Sequence, residues 1–186
     1  MKLNTDVFQR QFPLVKWFIY HLMYYRELHC QENTRFKTAF WAFTIDGHLL
    51  QATNYWCMVF GSHNNPTHWK HLAVGKENED SLRQGFTKSV LALSGFTDEK
   101  WQNYWQEIVT FRNKYVSHRD KFTGPVPHFD QTLDVAYAYD RWVREVLFPG
   151  IWEEPPLKES AERAKEDVKV FVGEFLTGEK ALHQGS

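Results

Sequence analysis

Arg112 stands where the helical pattern around it asks for an apolar side chain. From Trp101 the bulky apolar positions are 101, 104, 105, 108, 111 and 115, one face of an amphipathic helix. Arg112 lies seven residues from Trp105, four from Ile108 and three from Tyr115, in the middle of that face. A guanidinium keeps its charge inside a protein, and burying it without a partner is strongly unfavourable. It must meet a carboxylate, a subunit surface or an anionic ligand. His118 follows six positions later, and histidine is the side chain that gives and takes protons near neutral pH. On an ideal helix the two are about 9 Å apart along the axis and about 120° apart around it. They converge if the helix frays near Ser117 or if two copies of the segment face each other. An arginine that grips an anion beside a histidine that moves a proton suits acid–base chemistry at a phosphate. The alternative is structural: an arginine ion-paired in the core and a histidine at a helix end.

The neighbouring residues can serve either account. Lys114, Arg119 and Lys121 join Arg112 in a run opposed only by Asp120, a local cationic patch in a chain of net charge −1. That patch fits phosphate binding, and it equally fits basic residues favoured at a helix C-terminus. Asp46 lies close to the apolar rhythm of its own predicted helix, so an Asp46–Arg112 ion pair would explain both residues. His48, two positions beyond Asp46, points to a different side of that helix. His63, His68 and His71 share one loop but lack the carboxylate or thiolate company of most structural zinc sites, and no metal or other cofactor is expected. Gly-rich phosphate loops, cysteine–histidine nucleophile arrangements and His-Glu-x-x-His are all missing from the sequence.

The elements that must position these groups are helical. Phe8, Phe12, Val15, Ile19 and Leu22 mark a long first helix, with Pro13 implying a late start near residue 12 or a kink. A second helix is predicted over about 34–60, then a polar connector over 61–79 and a helix over about 80–93. Thr97-Asp98-Glu99 opens the helix that carries Arg112. A rigid loop spans 119–129, a helix follows through Leu133 and Leu147, and Pro155-Pro156 opens the last. This describes an all-α bundle of five or six helices, one domain over 1–178, with a disordered tail over 179–186. Aromatic residues make up 17% of the chain, more than a small monomer readily buries, which points to a self-association surface. Cys30 and Cys57 sit in apolar helical contexts and read as free, buried thiols in a reducing compartment. The N-terminus lacks a signal-peptide pattern and no stretch approaches a membrane span, so a cytoplasmic protein is expected.

The segment Arg112-Asn113-Lys114-Tyr115-Val116-Ser117-His118 resembles the R-x4-6-H signature of the HEPN superfamily of helical nucleases, including the polar residue after the arginine. The run RNKYVSHRD near the end of a core helix, followed by a loop and another helix, resembles the abortive-infection and toxin branch, over about residues 5–150. The resemblance implies a homodimer that cleaves RNA without metal, as a toxin or phage-defence effector, and an antitoxin or regulatory partner. Attack by the 2′-hydroxyl would leave a cyclic phosphate. It gives Arg112, His118 and Asn113 catalytic roles, and RNA-phosphate contacts to Lys114, Arg119 and Lys121. Asp46, His48 and Tyr115 become candidates for supporting positions around the cleft. Asp120 stands where family toxins regulated by nucleotide transfer often carry a tyrosine. Many relatives keep the fold without catalysis, so the alternative is a non-catalytic helical module that binds RNA, nucleotide or a protein.

Overall fold

Apolar periodicity gives six α-helices and no strand among the described residues. The computed structural model describes residues 5–32, 38–75, 77–117, 124–150 and 152–184, with the side chains of all these except 31, 32, 117, 176 and 178–184. The helices are α1 (Thr5–Glu32), α2 (Ala39–Phe60), α3 (Glu79–Ser94), α4 (Asp98–Phe111), α5 (Asp130–Trp142) and α6 (Leu157–Gln184). A 3-10 turn covers Trp69–Leu72, and π-helical runs extend α4 over Arg112–Ser117 and α5 over Val143–Leu147. The all-α bundle expected from the sequence is the observed fold.

Three boundaries differ from expectation. α1 starts at Thr5 and continues through Pro13, whose missing N–H leaves one carbonyl of the ladder without its usual donor. Burial of Val7, Phe12 and Val15 on one face holds the helix together across that position. α2 begins at Ala39, and 33–37 lie outside the described residues. α6 carries on past Gly178 to Gln184, where a tail was expected.

α1 is the hub, packing against α2, α6 and α5. Trp17 meets Tyr55 and Tyr24 meets His48, so α2 runs antiparallel to α1. Phe18, Ile19 and Leu22 of α1, Trp56 of α2 and Tyr139 of α5 are fully buried in one continuous core. α4 begins at Thr97, whose hydroxyl accepts from the Lys100 N–H at 3.3 Å, with Asp98 and Glu99 complementing the helix dipole. α6 begins differently: the Leu157 N–H donates to Asp140 Oδ2 on α5 at 3.0 Å.

The predicted polar connector is an ordered part of the core instead. Trp69, Leu72 and Ala73 are buried in it, and side chains far away in sequence fasten it. Gln11 of α1 donates to the His68 carbonyl at 2.7 Å and accepts from the Tyr139 hydroxyl at 3.1 Å. Asn65 donates to the Cys57 carbonyl at 3.1 Å. Gly61 closes α2 in a backbone conformation where a Cβ would stand 2.5 Å from the same carbonyl oxygen, too close for any other residue without rearrangement.

Candidate functional site

The apolar face of α4 forms as its spacing predicts, with Tyr104, Ile108 and Phe111 buried and Trp101 and Trp105 half-buried. Arg112 ends that helix and opens the π-helical run, its own N–H reaching the Ile108 and Val109 carbonyls. π-helical geometry inside an α-helix is uncommon and concentrates at functional sites. It also means that the rise and rotation of an ideal α-helix do not hold over Arg112–Ser117. Tyr115, expected on the apolar face, keeps 37% of its surface exposed and stacks on Phe111 at 5.2 Å.

The π-helical run packs against α2, and the half-buried Arg112 guanidinium lies near the buried Cys57 thiol. Burial pushes that thiol up to about 12, while the Arg112 charge and a hydrogen bond from the guanidinium to the thiol pull in the other direction. A neutral thiol is a poor acceptor, and Arg112 Nε is buried with no hydrogen-bond partner among the described residues. No carboxylate pairs with Arg112 there either. Asp46 is exposed on α2, eleven residues or about 16 Å along the helix from Cys57, so the Asp46–Arg112 pair that was the structural alternative does not form.

His48 does not reach Arg112 either. It lies about 13 Å along α2 from Cys57 and pairs with His21 of α1, Nδ1 to Nδ1 at 2.8 Å. Tyr24 packs edge-on against His48 at 5.3 Å. Burial, then the neighbouring His21, lowers His48 to about 4, and burial lowers His21 as well. A histidine depressed in the folded state contributes stability that is complete above its unfolded value of about 6.5 and lost as pH falls towards 4. The melting temperature should therefore fall between pH 6.5 and 5, and His48→Gln should make that slope shallower. An equal slope in the variant would exclude the pair as its source.

Asn113 and Lys114 are exposed on the π-helical run beside Arg112. His118, Arg119 and Lys121 lie outside the described residues. The loop histidines serve the backbone: His68 Nδ1 accepts from the Lys70 N–H at 3.3 Å, and His71 Nε2 lies 3.0 Å from the Asn65 carbonyl. Among the described residues no three His, Cys, Asp or Glu side chains group so as to hold a metal ion. Cys30 is exposed, not buried, because it falls in the last turns of α1. No helix among the described residues is long and apolar enough to cross a membrane.

Sequence reasoning missed two arrangements. One is the Asp140–Arg144 pair at 2.7 Å, one turn apart at the end of α5, whose buried carboxylate also accepts from the Leu157 N–H of α6, although Asp140 interrupts an apolar rhythm just as Arg112 does. The other is a pocket of about 250 Å3 between the 61–73 loop, α3 and α4, lined by Trp69, Trp101 and Trp105 among others. The two α4 tryptophans were legible only as a core face. No family model, curated protein or solved structure matches this chain.

Proposed function

We propose that the chain is a HEPN-type endoribonuclease that cleaves RNA without metal, acting as a homodimeric toxin or phage-defence effector. The observation that carries this reading is Arg112: a half-buried cation at a distorted helix end, with Nε buried and without an acceptor among the described residues. The Cys57 thiol to which the guanidinium hydrogen-bonds is a weak acceptor and does not neutralise its charge as a carboxylate would. An arginine kept for a phosphate needs no carboxylate, because its partner arrives with the substrate.

In the proposed reaction His118 takes the proton of a ribose 2′-hydroxyl. The O2′ attacks the adjacent phosphorus, the P–O5′ bond breaks, and the leaving oxygen takes up a proton. The products are a 2′,3′-cyclic phosphate and a 5′-hydroxyl. Arg112 holds the non-bridging oxygens and stabilises the charge they gain. Exposed Asn113 and Lys114 are available to the same strand. A dimer that brings two motifs together would use Tyr115 and Met58, apolar side chains exposed on the two segments that meet at Arg112. The more exposed Phe40 and Phe43 lie about 20–25 Å away along α2 and would join copies elsewhere.

Cleavage of total RNA in EDTA by wild type and His118→Ala, with analysis of the product ends, tests the reading. Cleavage by wild type alone, leaving cyclic phosphate, is expected. A folded wild type that leaves RNA intact, or activity lost on chelation, would refute it in favour of a non-catalytic binding module.

A further inference from the structure

We propose that the pocket between the 61–73 loop, α3 and α4 is a nucleobase subsite, taking an unstacked base of single-stranded RNA a few nucleotides along the strand from the phosphate held by Arg112. This rests on the nuclease reading for its substrate, but the pocket has its own physical argument.

Its volume of about 250 Å3 is just below the roughly 300 Å3 at which drug-sized sites begin, which suits one flat ring system better than a large cofactor. Its walls are aromatic and held in place. The Trp105 indole donates to the Phe60 carbonyl at 2.8 Å, and Trp69 packs on Phe86 with ring centres 4.4 Å apart. Trp101, half-buried, completes the lining from the α4 side. Such faces stack bases of any sequence.

The polar groups select further. His68 is 3% exposed and its backbone carbonyl is fixed by the buried Gln11–Tyr139 chain. Because its Nδ1 accepts from the Lys70 N–H, the ring proton resides on Nε2. Burial and nearby cations, Lys70 first, lower His68 to about 3, so the ring stays neutral. A neutral N–H donor, the amide of exposed Gln102 and three indoles favour an uncharged planar heterocycle with acceptor atoms. Phosphate would prefer exposed Lys70 of the lining, whose ammonium lies 5.7 Å from the centre of the Trp69 ring. The adjoining groove carries Arg83 and Lys88 but also Asp80 and Asp98, so affinity there should come more from stacking than from charge.

Position links the pocket to Arg112. Trp105 and Arg112 share one face of α4, seven residues or about 10 Å apart, and both meet the C-terminal end of α2. At a stacked rise of about 3.4 Å that distance is about three nucleotides, fewer in an extended strand.

The test uses the full chain and tryptophan fluorescence, with uridine, adenosine and a 2′-O-methyl decanucleotide that cannot be cleaved through its 2′-oxygen. Saturable quenching by nucleosides is expected, weakened about tenfold or more by Trp101→Ala. Gln102→Ala, at an exposed position, should weaken it a few-fold without disturbing the fold. Nucleoside binding should be insensitive to salt, and decanucleotide binding should also depend on Arg112. Nucleoside binding lost in Trp101→Ala, from a wild type that cuts no RNA, would keep the subsite and overturn the nuclease reading. RNA cleavage by wild type with unchanged binding in both pocket variants would overturn the subsite alone. Absence of quenching by any of the three probes, up to their solubility, would also overturn it.

Discussion

Arg112→Ala is expected to lower RNA cleavage roughly 100- to 1,000-fold, the cost of removing one preorganised donor from a transition state that gains charge. The melting temperature should change by only a few degrees, corresponding to about 1 kcal/mol. Its small size follows from the local geometry. An arginine inside a buried ion pair leaves an uncompensated charge when its partner is removed, and such a loss costs roughly 3–5 kcal/mol. Arg112 has no such partner among the described residues, and its Nε is already unsatisfied. Alanine removes an Nε that nothing accepts among the described residues and a hydrogen bond to a neutral thiol, a weak acceptor. Arg112→Lys keeps the charge but loses the planar fork, so cleavage should recover only partly. A large drop in melting temperature with undiminished cleavage would make Arg112 a structural residue and remove the basis of the nuclease reading.

How far the sequence revealed the molecule depended on whether a residue's surroundings are local. The helices were legible because each buries a stripe whose 3.6-residue period can be counted, and Thr97 could be recognised as a cap from the acids that follow it. Arg112 was legible because a charge in an apolar stripe demands an explanation. The same argument applied at Asp140, between Ala136 and Val143 on the α5 face, would have found the second buried charge. Partners were another matter. His48 was correctly judged to turn away from Asp46, yet its actual neighbour, His21, belongs to another helix. The 61–79 segment looked like a polar connector because glycine, histidine and asparagine dominate its opening. Its bonds to Gln11 and Cys57 cross helices, and composition does not encode them. Trp101 and Trp105 satisfied the core pattern, and only the packed structure distinguishes a wall of a pocket from the inside of a core.

The largest stability effect is expected at Asp140. Asp140 is 5% exposed, and its carboxylate accepts from Arg144 Nε at 2.7 Å and from the Leu157 N–H at 3.0 Å, linking α5 to the first turn of α6. Arg144 in turn donates to the Glu154 and Pro155 carbonyls and lies over the Trp152 ring at 4.3 Å. Asp140→Ala therefore removes the only carboxylate ion-paired with Arg144 among the described residues and leaves the α6 cap empty. The expected cost is roughly 3–5 kcal/mol, seen in a chain of this size as a fall in melting temperature on the order of 10 °C. Asp140→Asn keeps an acceptor for the cap and should lose less. Lys16→Ala breaks a more exposed ion pair to Glu154 and should cost no more than about 1 kcal/mol. If Asp140→Ala melted within a few degrees of wild type, the clamp would not be holding α6. A double change to apolar residues, Asp140→Leu with Arg144→Met, separates charge from cap. It removes both buried ions together, so it should recover part of the loss. The remainder should persist, because no apolar side chain accepts the Leu157 N–H or donates to the carbonyls of Glu154 and Pro155.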